Sequence, residues 1–221
     1  MKVSQKSVIR CLSIAFFAVN FIFAGDVHGE RIDARKIVKR VGENLDNIKT
    51  FSCTFEFIRY SRESGYTRRN TGTIQMKKPY LFRVERPDHI IVVDGEKVWT
   101  YLPKNKQAQL SDFDGEEDTF PSPYSVFRRY VDKREALPVG KEEVNGSECD
   151  VIHLLSPDSK DTRVIVWIDL SLDFPVKAVE ETQAGDMVTH VLSDIKINEK
   201  MDDDIFTFSP PKGISIIDLR E

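Results

Sequence analysis

A two-residue alternation of apolar and polar side chains runs from Phe51 almost to the C-terminal end of the chain. In the first run, Phe51, Cys53, Phe55 and Phe57 alternate with largely polar neighbours. Successive side chains of a β-strand point to opposite faces of a sheet, so this pattern predicts a strand with one buried face. The same reasoning predicts strands at about 73–77, 80–86, 90–101 (a hairpin), 106–110, 139–145, 148–155, 162–170, 175–183, 187–197 and 205–208.

Short turn motifs separate these runs. They are Asn70-Thr71-Gly72, Asp94-Gly95, Asn145-Gly146 and Ala184-Gly185-Asp186. Asp-Gly and Asn-Gly readily adopt the positive φ angles that two-residue hairpin turns require. Consecutive strands joined by hairpins form an antiparallel meander, whereas βαβ units need helical crossovers. The sequence therefore predicts a mainly β, antiparallel fold.

Two segments have helical spacing instead. In the range 33–47, apolar residues recur at helical intervals with charged residues between them, which predicts one amphipathic helix. In the range 121–131, Tyr124, Phe127 and Tyr130 have roughly helical spacing. We interpret this second segment as a short helix that lies against the sheet.

The first 29 residues have the order of a secretory signal peptide. Lys2, Lys6 and Arg10 precede an apolar run that ends at Ala24. This run is shorter than the roughly 20 residues that a membrane-spanning helix needs. We expect cleavage after Ala24 or Gly29, with an uncleaved anchor as the alternative. Residues 30–221 then form one domain.

Charge and motif content argue against nucleic-acid binding and against catalysis. The formal net charge is −4 for the full chain and −6 without residues 1–29, which disfavours nucleic acid as a partner. The sequence has no nucleophile elbow, phosphate-binding glycine loop, His-Glu-x-x-His helix or CxxC pair. His89, His153 and His190 are scattered singly. We expect a binding protein with no catalytic residues, no metal and no cofactor.

Cys53 and Cys149 are the two cysteines outside the predicted signal peptide. In an exported protein, two cysteines can form a disulfide. Two separate buried thiols are the alternative, because free cysteine behaves as a small hydrophobic residue. The sequence leaves the pairing open.

Several predicted strands are apolar on both faces, namely those at 81–84, 90–93 and 98–101. An antiparallel sheet usually has one solvated face, so these strands need a second cover or enclose an apolar space. A plain sandwich core and a ligand cavity both explain the pattern.

Three sequence blocks together carry a family resemblance. Residues 72–83 read GTIQMKKPYLFR, residues 91–107 contain an Asp-Gly hairpin followed by Trp and Tyr, and residues 206–213 read FTFSPPKG. In this order and behind a signal peptide, they resemble the periplasmic outer-membrane lipoprotein carrier (LolA) family. The blocks span most of the chain after residue 29.

The resemblance implies an incomplete (half) antiparallel β-barrel whose apolar concave face is covered by a short helical lid. It implies a monomeric periplasmic carrier that binds the acyl chains of lipoproteins between sheet and lid. An inner-membrane ABC transporter would supply this cargo and an outer-membrane acceptor lipoprotein would receive it. The alternative with the same fold is a periplasmic lipid- or lipoprotein-sensing regulatory protein.

The site residues are chosen by resemblance and apolarity. The predicted cavity lining is Ile74, Met76, Phe82, Val84, Ile91, Trp99 and Tyr101. The lid residues Tyr124, Phe127 and Tyr130 are expected to fill the cavity when it is empty. Lys78 stands where the family typically has an arginine that is implied to hold the lid shut, and lysine lacks the planar fork of arginine.

Overall fold

One twelve-stranded sheet and two α-helices make up the part of the chain described by the computed structural model, residues 33–114, 123–158 and 162–220. The predicted signal peptide lies outside these residues, and so do residues 121–122 at the start of the second predicted helix. The helices are α1 (Ala34–Asn47) and α2 (Pro123–Val131), and 3₁₀ turns occupy Pro103–Asn105 and Asp203–Phe206. The strands are β1 (Thr50–Tyr60), β2 (Thr67–Lys77), β3 (Leu81–Glu85), β4 (Ile90–Asp94), β5 (Lys97–Leu102), β6 (Gln107–Asp112), β7 (Glu135–Val144), β8 (Ser147–Leu155), β9 (Arg163–Asp169), β10 (Phe174–Glu181), β11 (Met187–Ile197) and β12 (Ser215–Asp218).

The strand order across the sheet is β12-β6-β5-β4-β3-β2-β1-β11-β10-β9-β8-β7. Every neighbouring pair is antiparallel except β12 and β6, which are parallel. The sheet keeps two edge strands, β12 and β7, so it is an open half-barrel. The predicted mainly β, antiparallel fold with an N-terminal helix and a short second helix is confirmed.

Helix α1 begins where the sequence predicts it. The side chain of Asp33 accepts a hydrogen bond from the backbone N–H of Lys36 and caps the first turn. Its apolar stripe of Ile37, Val41 and Leu45 is buried in the main core. Neither α1 nor α2, the α-helices of the described ranges, is long and apolar enough to cross a membrane.

The main core lies on one face of β1, β2 and β3. Phe55, Ile74 and Val84 lie on this face and are at most 3% exposed, in one cluster with Val126 and Phe127 of α2. We call this the inner face of the sheet, and the opposite one the outer face.

A second, smaller cluster covers part of the outer face. The chain after β11 crosses β3 and β4 through the 3₁₀ turn at Asp203–Phe206, whose Phe206 is 1% exposed. Arg83 Nη1 donates to the backbone carbonyl of Ile205 at 3.0 Å and fixes this crossing. Strands β3 and β4, which are apolar on both sides, are therefore covered by the main core cluster on one side and by the C-terminal segment on the other.

Two local predictions are wrong. Residues 205–208 form no strand, because Asp202 accepts a hydrogen bond from the N–H of Asp204 and starts the 3₁₀ turn. Asn70-Thr71-Gly72 is no turn but part of β2. A Cβ on Gly72 would lie 2.2 Å from the carbonyl oxygen of Glu85 and 2.8 Å from the ring of Phe55. Glycine is there for close packing, not for a turn.

Cys53 and Cys149 are separate buried thiols, so the disulfide alternative is wrong. Cys53 lies on β1 and Cys149 on β8, with β11, β10 and β9 between them in the sheet. Four strand spacings along a sheet amount to about 19 Å, whereas a disulfide needs Cα atoms within about 7 Å. The core separates the two sulfur atoms.

We predict that the protein purified without reductant has no fast-reacting thiol in its native state and two after denaturation. Burial, reinforced by the charge of Asp194, raises the pKa of Cys53 to about 12. Burial together with the charge of Asp169 raises the pKa of Cys149 to about 11. Thiolates are the reactive form, so titration with Ellman's reagent at pH 7.5 checks this expectation. A denatured sample in which thiols appear only after reduction would reveal a disulfide instead.

Candidate functional site under helix α2

Helix α2 fills the space above the inner face with apolar side chains. Val126 and Phe127 are fully buried, and the helix contacts β10 and β11. Burial of one phenylalanine side chain contributes about 1.5–3 kcal/mol to the packing of a segment. Phe127 therefore anchors α2 to the sheet. Tyr124 belongs to α2, but its side chain lies outside the described part.

Five of the predicted site residues share the inner face with Phe127. Ile74 pairs across the strands with Val84, which pairs with Ile91, and Met76 pairs with Phe82. Ile74 and Val84 belong to the core cluster of Phe127, and Met76, Phe82 and Ile91 pack against it half-buried. The structure brings these five side chains together, and lipid binding by them stays a prediction.

Trp99 and Tyr101 do not belong to this set, and their prediction as inner-face residues is wrong. Ile91 on the inner face pairs with Thr100, and the two aromatic residues flank Thr100, so they point to the outer face. There their rings lie 5.4 Å and 5.5 Å from the ring of Phe208. They hold the C-terminal segment onto the sheet.

The C-terminal half of α2 is attached by polar contacts to one half-buried carboxylate. Tyr130 Oη donates to Glu180 Oε2 at 2.9 Å, and Arg129 Nη1 lies 3.5 Å from the same oxygen. His190 Nε2 is 3.3 Å from Glu180 Oε1. We call Glu180, His190, Arg129 and Tyr130 the Glu180 cluster. It joins α2 to β10 and β11.

Within the Glu180 cluster, the pKa of Glu180 is lowered and the pKa of Tyr130 is raised. Burial by itself raises the pKa of Glu180, but the hydrogen bonds from His190 and Tyr130 and the nearby charges outweigh it, so the pKa is lowered. Burial, together with the charge of Glu180, raises the pKa of Tyr130. At neutral pH, the carboxylate is therefore ionised and the phenol keeps its proton, which is the state that the hydrogen bond requires.

The sequence analysis missed Glu180 and His190. In β10 the inward positions run Val176, Ala178, Glu180, and in β11 His190 stands two residues before the inward Leu192. The signal available in the sequence was a polar residue at a strand position whose neighbours on the same face are apolar. Among the described residues, no three His, Cys, Asp or Glu side chains are grouped to hold a metal ion.

The same last turn of α2 is also tied to α1. Arg128 forms an ion pair with Asp46 near the end of α1. Lys78 Nζ donates to the backbone carbonyls of Leu45 at 3.3 Å and Asp46 at 3.1 Å, a favourable place for a cation at a helix C-terminus. Lys78 thus binds α1 beside the partner of Arg128, and its control over α2 stays a prediction.

Known proteins are similar to this chain in fold or in sequence. MucB, in its crystal structure with MucA(peri), superposes with a TM-score of 0.52 at 16% identity, over 80% of this chain and 60% of MucB. An uncharacterised protein of Methanocaldococcus jannaschii is 26% identical over 204 residues, and the chain spans 58% of its length. The outer-membrane lipoprotein carrier protein of Pseudomonas aeruginosa (strain PAO1) is 27% identical over 218 residues, which cover 95% of this chain and 98% of that protein.

The sequence profile of one family covers most of the chain. The family is described as outer membrane lipoprotein carrier protein LolA, and its match extends over residues 46–209. This range includes the end of α1, the whole of α2 and the inner-face strands β1 to β3. The chain belongs to the LolA family of outer membrane lipoprotein carrier proteins.

Proposed function

We propose that this protein is a periplasmic carrier that binds lipoprotein acyl chains between the inner face and α2. It would take them as a monomer from an inner-membrane ABC transporter and deliver them to an outer-membrane acceptor lipoprotein, without catalysis or cofactor. The observation that carries the proposal is the complete burial of Phe127 against the inner face. A fatty chain that displaces Phe127 meets the same apolar surface.

The energy of acyl-chain burial requires such a displaceable helix. Three acyl chains hold on the order of 45 methylene groups, and at about 0.8 kcal/mol each their full burial amounts to tens of kcal/mol. Non-covalent affinity does not exceed about 18–21 kcal/mol, and a carrier must also release its cargo. Displacing Val126 and Phe127 offsets part of the gain, so the protein's own helix keeps binding reversible.

We predict that a photoreactive benzoylphenylalanine at Phe82 forms an adduct with a synthetic triacylated lipopeptide, whereas the same residue at Tyr101 forms none. Phe82 lies on the inner face and Tyr101 on the outer face, packed on Phe208. The two positions are aromatic and partly buried, so they are matched controls. Mass spectrometry after irradiation measures the adducts. Equal labelling of the two positions would contradict binding on the inner face.

A regulatory binding protein is the second candidate, because MucB has the same fold. The same cross-linking experiment separates the two functions. A carrier labels only with the acylated peptide, and the unacylated peptide of identical sequence stays unlabelled. A regulator that recognises protein segments would label with both peptides, and one that senses free lipid would label equally well with a phospholipid.

We predict that Tyr130→Phe loosens α2 and strengthens lipopeptide binding. The substitution keeps the ring, which lies 4.2 Å from the guanidinium of Arg134, and removes the hydrogen bond to Glu180. A hydrogen bond to a charged group contributes about 1.5–3 kcal/mol, so the open fraction should rise at least tenfold. Hydrogen exchange of the α2 amides measures this opening, and affinity should rise with it. Tyr66→Phe, at a tyrosine that is 66% exposed, is the control and should change neither.

We predict that acid pH releases α2 through Glu180. Because its pKa is lowered in the folded protein, its contribution is complete above the ordinary carboxyl pKa of about 4.3 and is lost as the pH falls through the lower folded value. Exchange of the α2 amides, corrected with an unstructured reference peptide, should stay constant from pH 8 to 5 and accelerate below pH 4.

The variant Glu180→Gln isolates this effect. The Asp46–Arg128 ion pair remains in the variant. The variant should therefore start with a looser α2 at pH 7 and lose only the part of the acid response that belongs to Glu180. Identical pH profiles for the variant and the unchanged protein would refute a role for Glu180.

A further inference from the structure

His190 lies on the inner face of β11, is only 2% exposed and uses one of its two ring nitrogens. Its Nε2 lies 3.3 Å from Glu180 Oε1. Its Nδ1 is also buried, but no atom of the described residues is a hydrogen-bond partner for it. The large majority of buried polar side-chain atoms are paired, so an unpaired one on the proposed binding face points to a function.

The charge of Glu180 determines which nitrogen of His190 carries the proton. Because the pKa of Glu180 is lowered, its carboxylate is ionised at neutral pH and can only accept hydrogen bonds. The hydrogen between the two residues therefore belongs to Nε2. In a neutral imidazole, the second nitrogen then has no hydrogen and offers a lone pair. Nδ1 is thus a buried acceptor, and the group that it can bind is an N–H or an O–H.

The imidazole of His190 lies among apolar side chains next to α2. The ring of Phe57, its partner on β1, is 5.0 Å away and inclined by 70°. Ala178, its partner on β10, is fully buried. Helix α2 contacts β10 and β11, and its Tyr130 binds the other oxygen of Glu180. The acceptor therefore belongs to the surface that α2 would uncover for an acyl chain.

We infer that His190 Nδ1 accepts a hydrogen bond from the amide N–H of an N-acylated cargo, and so distinguishes amide-linked acyl chains from ester-linked ones. The inference rests on the proposed carrier function and adds a specificity to it. The amide at the head of an N-acyl chain is a donor that enters an apolar site together with the chain. A phospholipid brings ester oxygens to the same position, and these cannot donate. The buried acceptor then stays unpaired, which disfavours the ligand.

The experiment compares two probes that differ at one atom. They are N-decanoylglycine methyl ester and its analogue in which an oxygen replaces the amide N–H. Isothermal titration calorimetry at pH 8 measures their binding to the full mature protein. The amide should bind about tenfold more tightly than the ester, because it alone gives Nδ1 a partner.

His190→Gln removes the acceptor and keeps a donor to Glu180. The side-chain amide of glutamine reaches the position of Nε2 but has no nitrogen at the position of Nδ1. This variant should bind the two probes equally well. Tyr130→Phe is the matched control, because it removes the other hydrogen bond to Glu180. It should raise the affinity for both probes and leave their ratio unchanged. Circular dichroism checks that both variants fold.

A second measurement needs no substitution. Nitrogen-15 NMR of the labelled histidine side chains should show a proton on Nε2 of His190 and none on Nδ1. An unprotonated ring nitrogen shifts upfield when it accepts a hydrogen bond, so the Nδ1 resonance should move with the amide probe and not with the ester. A protonated Nδ1, or an equal shift with both probes, would overturn the inference.

The outcomes separate the role of His190 from the carrier function. If the triacylated lipopeptide labels position 82 but the two probes bind equally well, the carrier function stands and His190 does not recognise the amide. If position 82 is never labelled but the amide preference depends on His190, the carrier proposal fails and the acceptor site remains. Stronger binding of 1-decanoylglycerol than of either probe, abolished by His190→Gln, would assign Nδ1 to a hydroxyl-bearing lipid and overturn the amide.

Discussion

The contact between Phe127 and the inner face governs the rest of this structure. It is apolar and completely buried, and an acyl chain can replace it with a contact of the same kind. The polar attachments of α2 are different, because Glu180 and Asp46 bind groups that a fatty chain cannot imitate. In the proposed carrier, hydrophobic energy would therefore be exchanged when cargo enters, whereas the polar contacts would set the free-energy difference between the closed and the open helix. A carrier needs this division, since the apolar term alone would favour permanent binding.

The inner face could exchange Phe127 for an acyl chain only because the outer face of the sheet has a separate cover, the C-terminal segment. Trp99 and Tyr101 pack on Phe208, and the hydrogen bond of Arg83 to Ile205 fixes the same segment. Lys77 also forms an ion pair with Asp203 of the same segment. If α2 moves away, β3, β4 and β5 therefore remain packed on one side. The outer face would then stay covered while the inner face exchanges α2 for cargo.

Much of the fold follows from the sequence, and about half of the site does. Alternation identified the strands because it reports local backbone geometry, and the short-range turns at Asp94-Gly95 and Asn145-Gly146 supported it. It failed at Trp99 and Tyr101, because an apolar residue on either face of a doubly covered strand looks the same. It failed at 205–208 because the capping aspartates outweighed the apolar run. In the Glu180 cluster, Tyr130 lies 50 positions from Glu180 in the sequence and His190 lies 10 positions from it. Only the register of β10 and β11 brings these residues together below α2.

Two different parts of the molecule hold the last turn of α2. Arg128 binds α1 through Asp46, and Lys78 holds the end of α1 that carries Asp46. Arg129 and Tyr130 bind β10 instead. Helix α1 is itself fixed by the burial of Ile37, Val41 and Leu45 in the main core. Asn44 and Arg40 also bind the turn before β10. Loss of the Glu180 contacts alone would therefore leave α2 tethered to a fixed α1, and α2 could pivot about the Arg128–Asp46 contact without a full detachment.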